Sequence, residues 1–216
     1  MIFPESFSPP APPDAGAARR PPSILLDLEA YVADRSNATT ATATSRLGHT
    51  IQVTFCAADP PAMSYLCVHC PCAAESEDSG FGRVPRVVVA EGRFVLLFVR
   101  FGSRDDELFM YKGDPVSPSL ERVQAGSSLT RVKEFGIVPR GDEGRHCLLV
   151  ARTLAGLNPI KLELQIYSSV DQTWSTKPLP DVPGAGCTFG EKVITLGEGV
   201  LGWVDFRKGV VVCVDD

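Results

Sequence analysis

The sequence offers no apolar run near the ~18 residues that a membrane-crossing helix requires, so a helical membrane protein is not expected. A basic excess is missing too. Twenty-one Lys and Arg stand against 26 Asp and Glu, giving a net charge of -5 and a pI of 5.3. Nucleic-acid-binding domains usually carry a basic patch, and proteins held on anionic membranes a polybasic stretch; neither partner is expected. Catalytic signatures are scarce as well. There is no Gly-x-Ser-x-Gly elbow, and His49, His69 and His146 stand far apart without a flanking signature. The stretch Gly184 to Gly190 misses the Gly-x-Gly-x-x-Gly spacing by one and has no P-loop lysine, so it reads as a connecting loop.

Cysteine is neither abundant nor even in number. Seven residues (Cys56, Cys67, Cys70, Cys72, Cys147, Cys187, Cys213) are too few for a small disulfide scaffold, and full pairing would leave one thiol over. Several adjoin apolar runs, as Cys147 does before Leu148-Leu149-Val150, where cysteine behaves as a small buried hydrophobe. The N-terminus lacks the cationic start and apolar core of a secretory signal. Arg19 and Arg20 in an Ala-rich setting give only a faint transit-peptide pattern, opposed by Glu5, Asp14 and the prolines. Residues 1–22, with Pro4, Pro9, Pro10, Pro12, Pro13, Pro21 and Pro22, are expected to be a disordered tail. The expected compartment is reducing, cytoplasmic or nuclear, and Asn37-Ala38-Thr39 is then a chance glycosylation sequon.

What the chain does have is β pattern and turns, with 19 glycines and 18 prolines to make them. Ile24–Leu28 reads as a first strand, and residues 34–48, rich in Ala, Thr and Ser, as loop. Leu28–Arg35 is the best candidate for a turn or two of helix. Thr50–Phe55 alternates polar and apolar side chains, the period of a strand with one wet face. Asp59-Pro60-Pro61 ends it, Ser64–Cys70 supplies another strand, and residues 73–83 read as an acidic loop. Regular rounds follow. The first contains Pro85–Ala90, the turn Glu91-Gly92, Phe94–Phe101, Glu107–Tyr111 and Ser119–Val123. The second contains His146–Leu154, the clean alternation Lys161–Tyr167, and Thr173–Lys177. The third contains Glu191–Leu196, a Gly197-Glu198-Gly199 turn, Val200–Asp205 and Gly209–Val214. Repeats of short strands about 40–50 residues long predict an all-β, propeller-like array of antiparallel sheets, with a β-sandwich as the alternative.

Three stretches carry a family resemblance: residues 59–71, the hairpin Tyr167–Lys177 around Trp174, and Leu201–Cys213 around Trp203. On these, the region from Ser23 onward resembles the plant, grass-expanded family known as domain of unknown function 1618. The Trp174 hairpin is also similar to the F-box-associated and kelch-like propellers of plants. The resemblance implies one β-rich domain over 23–216, truncated at the C-terminus within an unfinished blade, because fuller members continue beyond the Trp203 segment. It supplies no mechanism.

Cys67, His69, Cys70 and Cys72 form the one cluster with metal-like chemistry, since thiolates and imidazole suit zinc. On an extended strand Cys67 and His69 point to one face and Cys70 to the other, so the expected role is structural, with metal or redox chemistry as alternatives. Glu75, Glu77 and Asp78, and the run Asp105-Asp106-Glu107, are expected to be solvated faces. No catalytic, cofactor-binding or metal residue is assigned. The expectation is a non-enzymatic protein-interaction module with a protein partner. The alternatives are an enzyme with an axial pocket invisible in the sequence, and a truncated product without independent function.

Overall fold

The structure is a computed structural model. It describes residues 9–10, 23–71, 80–114, 116–124, 132, 134–157, 160–179, 192–197, 199–207 and 209–214. Among these residues the fold is all-β, with several small sheets, none closed on itself, and no α-helix. The acidic residues 75, 77 and 78, Cys72, Cys187 and the Gly184–Gly190 stretch lie outside the described residues, as does most of the N-terminal tail.

The chain divides into two compact units, one of residues 1–88 with 95–125, the other of 89–94 with 126–216. The first unit holds two sheets. One is built from β1 (Leu25–Leu26), β2 (Tyr31–Val32), β3 (Ala41–Thr44), β4 (Thr50–Cys56) and β5 (Met63–His69). Its order is β1-β5-β4-β3, with β2 also on β5; β1 and β2 run parallel to β5, the rest antiparallel. The other is the meander β6 (Phe81–Glu91), β7 (Phe94–Phe101), β8 (Asp105–Lys112) and β9 (Ser119–Val123).

Alternation explains how the first sheet feeds its core. Ile51 and Val53 of β4 and Leu66 and Val68 of β5 share one face, buried with Val95, Leu97, Val99 and Phe101 of β7 and Phe109 and Tyr111 of β8. Fully burying each such side chain contributes about 1.5–3 kcal/mol. Segment 27–32 ties the two sheets together. Asp27 N donates to Ser64 O of β5, Ala30 N to Pro85 O, and Val87 N of β6 to Leu28 O. These bonds and β2 require extended backbone, so the helical turn expected over 28–35 does not form.

A second expectation also fails. Residues 34–48 contain strand β3, whose Ala41 and Ala43 lie opposite Val53 and Ile51. The large side chains come from β4, so alanine is bulk enough on β3, and threonine favours extended backbone. The other strands expected before Ser119 are present with small shifts of boundary, although β6 begins inside the stretch read as acidic loop.

The second unit holds two more meanders. The first is β10 (Phe135–Arg140), β11 (His146–Leu157), β12 (Ile160–Ser168) and β13 (Thr173–Pro178). The second is β14 (Lys192–Gly197), β15 (Val200–Asp205) and β16 (Gly209–Val214). Strand β10 was not expected, because Gly136 and Pro139 break its pattern. Pro139 is tolerated because β10 is an edge strand. Gly136 is small because a Cβ there would lie 2.7 Å from Leu201 Cδ1. Trp174 lies opposite Tyr167, ring centroids 5.3 Å apart, so the hairpin tryptophan packs on its neighbouring strand. Trp203 differs: it sits mid-strand in β15, buried with Val138, Val150 and Leu164, its ring 5.7 Å from the Arg152 guanidinium carbon.

Candidate functional site: an arginine–tyrosine–dithiol face

The reverse face of β4 and β5 is polar where the core face is apolar. Register places Cys56 opposite Tyr65, Thr54 opposite Cys67, and Gln52 opposite His69. Directly opposed residues share a side and alternation repeats it, so these six side chains line one face. Strand β2 extends the face, Tyr31 lying opposite Cys67. Cys56, Tyr65 and Cys67 form a buried cluster there, with Tyr31 and Ala33 packed against it.

Arg35 is held over this face by its own backbone. Its carbonyl accepts from Thr54 Oγ1 at 2.6 Å and from Gln52 Nε2 at 3.0 Å. The side chain then reaches Tyr65: Nη1 donates a short hydrogen bond to the hydroxyl, and the guanidinium carbon is 5.9 Å from the ring centroid. Tyr65 donates in turn to the Pro10 carbonyl at 3.0 Å, and Arg35 Nη2 lies 3.5 Å from the Pro9 carbonyl. Tyr31 stands edge-on to Tyr65 at 5.2 Å between centroids, its hydroxyl anchored on Asp27 Oδ2 at 3.1 Å. Two successive carbonyls of the Pro-rich segment thus meet one arginine and one tyrosine. Both of these prolines belong to the segment expected to be disordered.

The electrostatics follow from the donors. The Cys67 thiol donates toward the Cys56 sulfur, and Tyr65 and Arg35 add further hydrogen bonds, so Cys56 is held down to about 6 against the cost of burial. Cys67 is pushed up because it keeps the proton it lends to Cys56, and burial adds to this. Tyr65 is pushed up to about 12, first by burial and then by the Cys56 charge. The Tyr65 proton has two acceptors within reach, the Pro10 carbonyl and the Cys56 sulfur.

The cluster singled out in the sequence comes apart here. Cys67 joins the site, while Cys70 turns to the core face. His69 Nε2 lies 3.9 Å from Asp34 Oδ2. Among the described residues no group of three or more His, Cys, Asp or Glu side chains is placed to hold a metal ion. The acidic run at the start of β8 is matched by arginines: Asp105 with Arg46, Asp106 with Arg100, Glu107 with Arg122 at 3.8 Å. Glu107 is also capped by the Arg46 backbone N–H at 2.9 and 3.1 Å, so this run is a structural latch rather than a solvated face. Sequence reading missed Cys56, Arg35, Tyr31 and Tyr65. Their one signal was the alternation of β4, which puts Cys56 in phase with Thr54; which residues face them depends on strand register.

Comparisons with protein-family models, with curated proteins and with solved structures each find no match.

Proposed function

We propose that the protein is a non-enzymatic interaction module, and that the Tyr31–Tyr65–Arg35 face is a docking site for extended, proline-containing polypeptide. The observation that carries this reading is the seating of Pro9 and Pro10, whose carbonyls accept from Arg35 and Tyr65. A polyproline II segment makes no internal hydrogen bonds, so its carbonyls are free for such donors. Its backbone is already ordered, so binding costs little further entropy. Aromatic rings beside a donor suit this ligand, and the edge-on Tyr31–Tyr65 pair supplies them. The chain's own tail is the intramolecular occupant, at an effective concentration in the millimolar range for a short tether. A protein partner offering a similar segment competes for the same donors.

Two wider readings belong to this proposal. The successive meanders β6–β9, β10–β13 and β14–β16 support a propeller-like array, and the three quoted sequence stretches support kinship with the plant family of unknown function. The buried thiols of Cys56 and Cys67, not joined in a disulfide, support a reducing compartment, cytosol or nucleus. No helix among the described residues is long and apolar enough to cross a membrane.

The test is a titration of the protein carrying Pro9→Gly and Pro10→Gly, which weaken its own segment as a competitor, with a peptide of residues 7–13, with and without Tyr65→Phe, followed by tyrosine fluorescence and chemical shifts. Saturable binding that weakens about fivefold to tenfold in Tyr65→Phe, as expected for one lost hydrogen bond, supports the site. Equal affinity in the two proteins contradicts it.

A further inference from the structure

We infer that Cys56 and Cys67 form a hydroperoxide-responsive dithiol, with Cys56 as the attacking sulfur and Cys67 as the resolving thiol. Three placements carry this. The two residues are diagonal neighbours on one face of β4 and β5 and pack in one buried cluster. Tyr65 lies directly opposite Cys56 and Arg35 bonds the Tyr65 hydroxyl, so a phenol and a cation stand beside the sulfur, the groups needed to hold a thiolate and to polarise an incoming peroxide oxygen. Cys56 is also the last residue of β4, so the ladder ends there and the backbone can shift to let the sulfurs close. Of the two, Cys56 is the more accessible, 6% exposed against 1% for Cys67.

In the first step the Cys56 thiolate attacks one oxygen of hydrogen peroxide. An S–O bond forms, the O–O bond breaks, and hydroxide leaves, taking a proton to become water. Cys56 is then a sulfenic acid. In the second step the Cys67 sulfur attacks the Cys56 sulfur; an S–S bond forms, the S–O bond breaks, and the Cys67 proton leaves with the hydroxyl as a second water. Two thiols lose two electrons and the peroxide gains them. The lowered Cys56 proton affinity supports the assignment of attacker, since the thiolate is the nucleophile. Tyr31 and Tyr111 are the other ionisable groups that feel this pair, and both stay protonated near neutrality because burial pushes them up.

The experiment treats the whole 216-residue chain at neutral pH with limiting hydrogen peroxide, then blocks unreacted thiols and maps cysteine peptides by mass spectrometry. The expected first product is a Cys56–Cys67 disulfide, formed at least about threefold faster than oxidation of the buried Cys147, after allowance for the lower nucleophilicity of an acidic thiol. Cys67→Ser should stop at a sulfenic acid on Cys56, trapped by a cyclic 1,3-dione. Oxidation of Cys56 no faster than that of Cys147, or a first disulfide joining other cysteines, overturns the inference. The wild-type map alone decides this, so a poorly folded variant does not blunt the test.

Discussion

Arg35 and Tyr65 are joined twice, by a hydrogen bond from the guanidinium to the phenol oxygen and by the cation's position 5.9 Å from the ring centroid. The pair stands at the junction of three things. Tyr65 belongs to β5, and around the pair stand the β4–β5 ladder, the Cys56–Cys67 dithiol and the proline carbonyls. Because Tyr65 has one proton and two acceptors, occupancy of the proline site and the charge on Cys56 are coupled through a single hydroxyl.

Tyr65→Phe should therefore act on the tail and the thiol together. It removes the donor to Pro10 and one donor to Cys56, at a cost of about 0.5–1.5 kcal/mol to stability. Limited proteolysis should cut the N-terminal segment faster, and the Cys56 alkylation profile should move to higher pH. A changed alkylation profile with an unchanged cleavage rate would separate the two roles and count against the docking site.

Stability should depend on pH with a maximum near pH 8.5. Cys56 titrates at about 6 in the fold, below the ~8.5 of an unfolded cysteine. Its contribution is complete above the unfolded value and is lost as pH falls through 6. Cys67 and Tyr65 are raised, so their contributions are complete below ~8.5 and ~10 and are lost as pH rises through their folded values, about 12 for Tyr65. Urea midpoints should climb from about pH 6 to 8.5 and then decline. A Cys56→Ser variant should lose the climb.

In the second unit, Arg152 Nη2 donates to Glu134 Oε2 at 2.9 Å, with the two side chains only 5% and 12% exposed. Arg152→Ala removes the cation facing a nearly buried carboxylate and the Trp203 ring. The expected loss is about 3–5 kcal/mol, read as a lower denaturation midpoint. A loss below about 1 kcal/mol would mean that the pair is screened like a surface bridge.

Two glycines should rank by what their missing Cβ would meet. At Gly82 the obstacle is the Gly102 carbonyl oxygen at 1.5 Å, a backbone atom that cannot swing away. At Gly136 it is the tip of Leu201, which can turn. Gly136→Ala should cost about 1–3 kcal/mol and Gly82→Ala more, or prevent folding. Denaturation midpoints that rank them the other way would contradict the packing described.

The fold class was legible because β alternation is written locally, as in Lys161–Tyr167, now β12. Strand β10 was hidden because its glycine and proline answer tertiary demands, a close Leu201 and a sheet edge. Strand β3 was hidden because its partner carries the bulk. The candidate site was less legible still. Cys67 stood out for its neighbours in sequence, His69 and Cys70, yet its partners are Cys56 across the sheet and Arg35 from a preceding extended segment. Strand register and chain crossing create that proximity, and neither is encoded in a short window.

The most direct measurement is calorimetric titration of a proline-rich peptide, residues 7–13, into the protein and into its Pro9→Gly, Pro10→Gly variant. Binding to the wild type, whose own segment holds the site, should be weak or undetectable, and binding to the variant about tenfold or more tighter, as the intramolecular competitor is weakened. Identical behaviour of the two proteins would contradict the claim that Arg35 and Tyr65 form a proline-docking site.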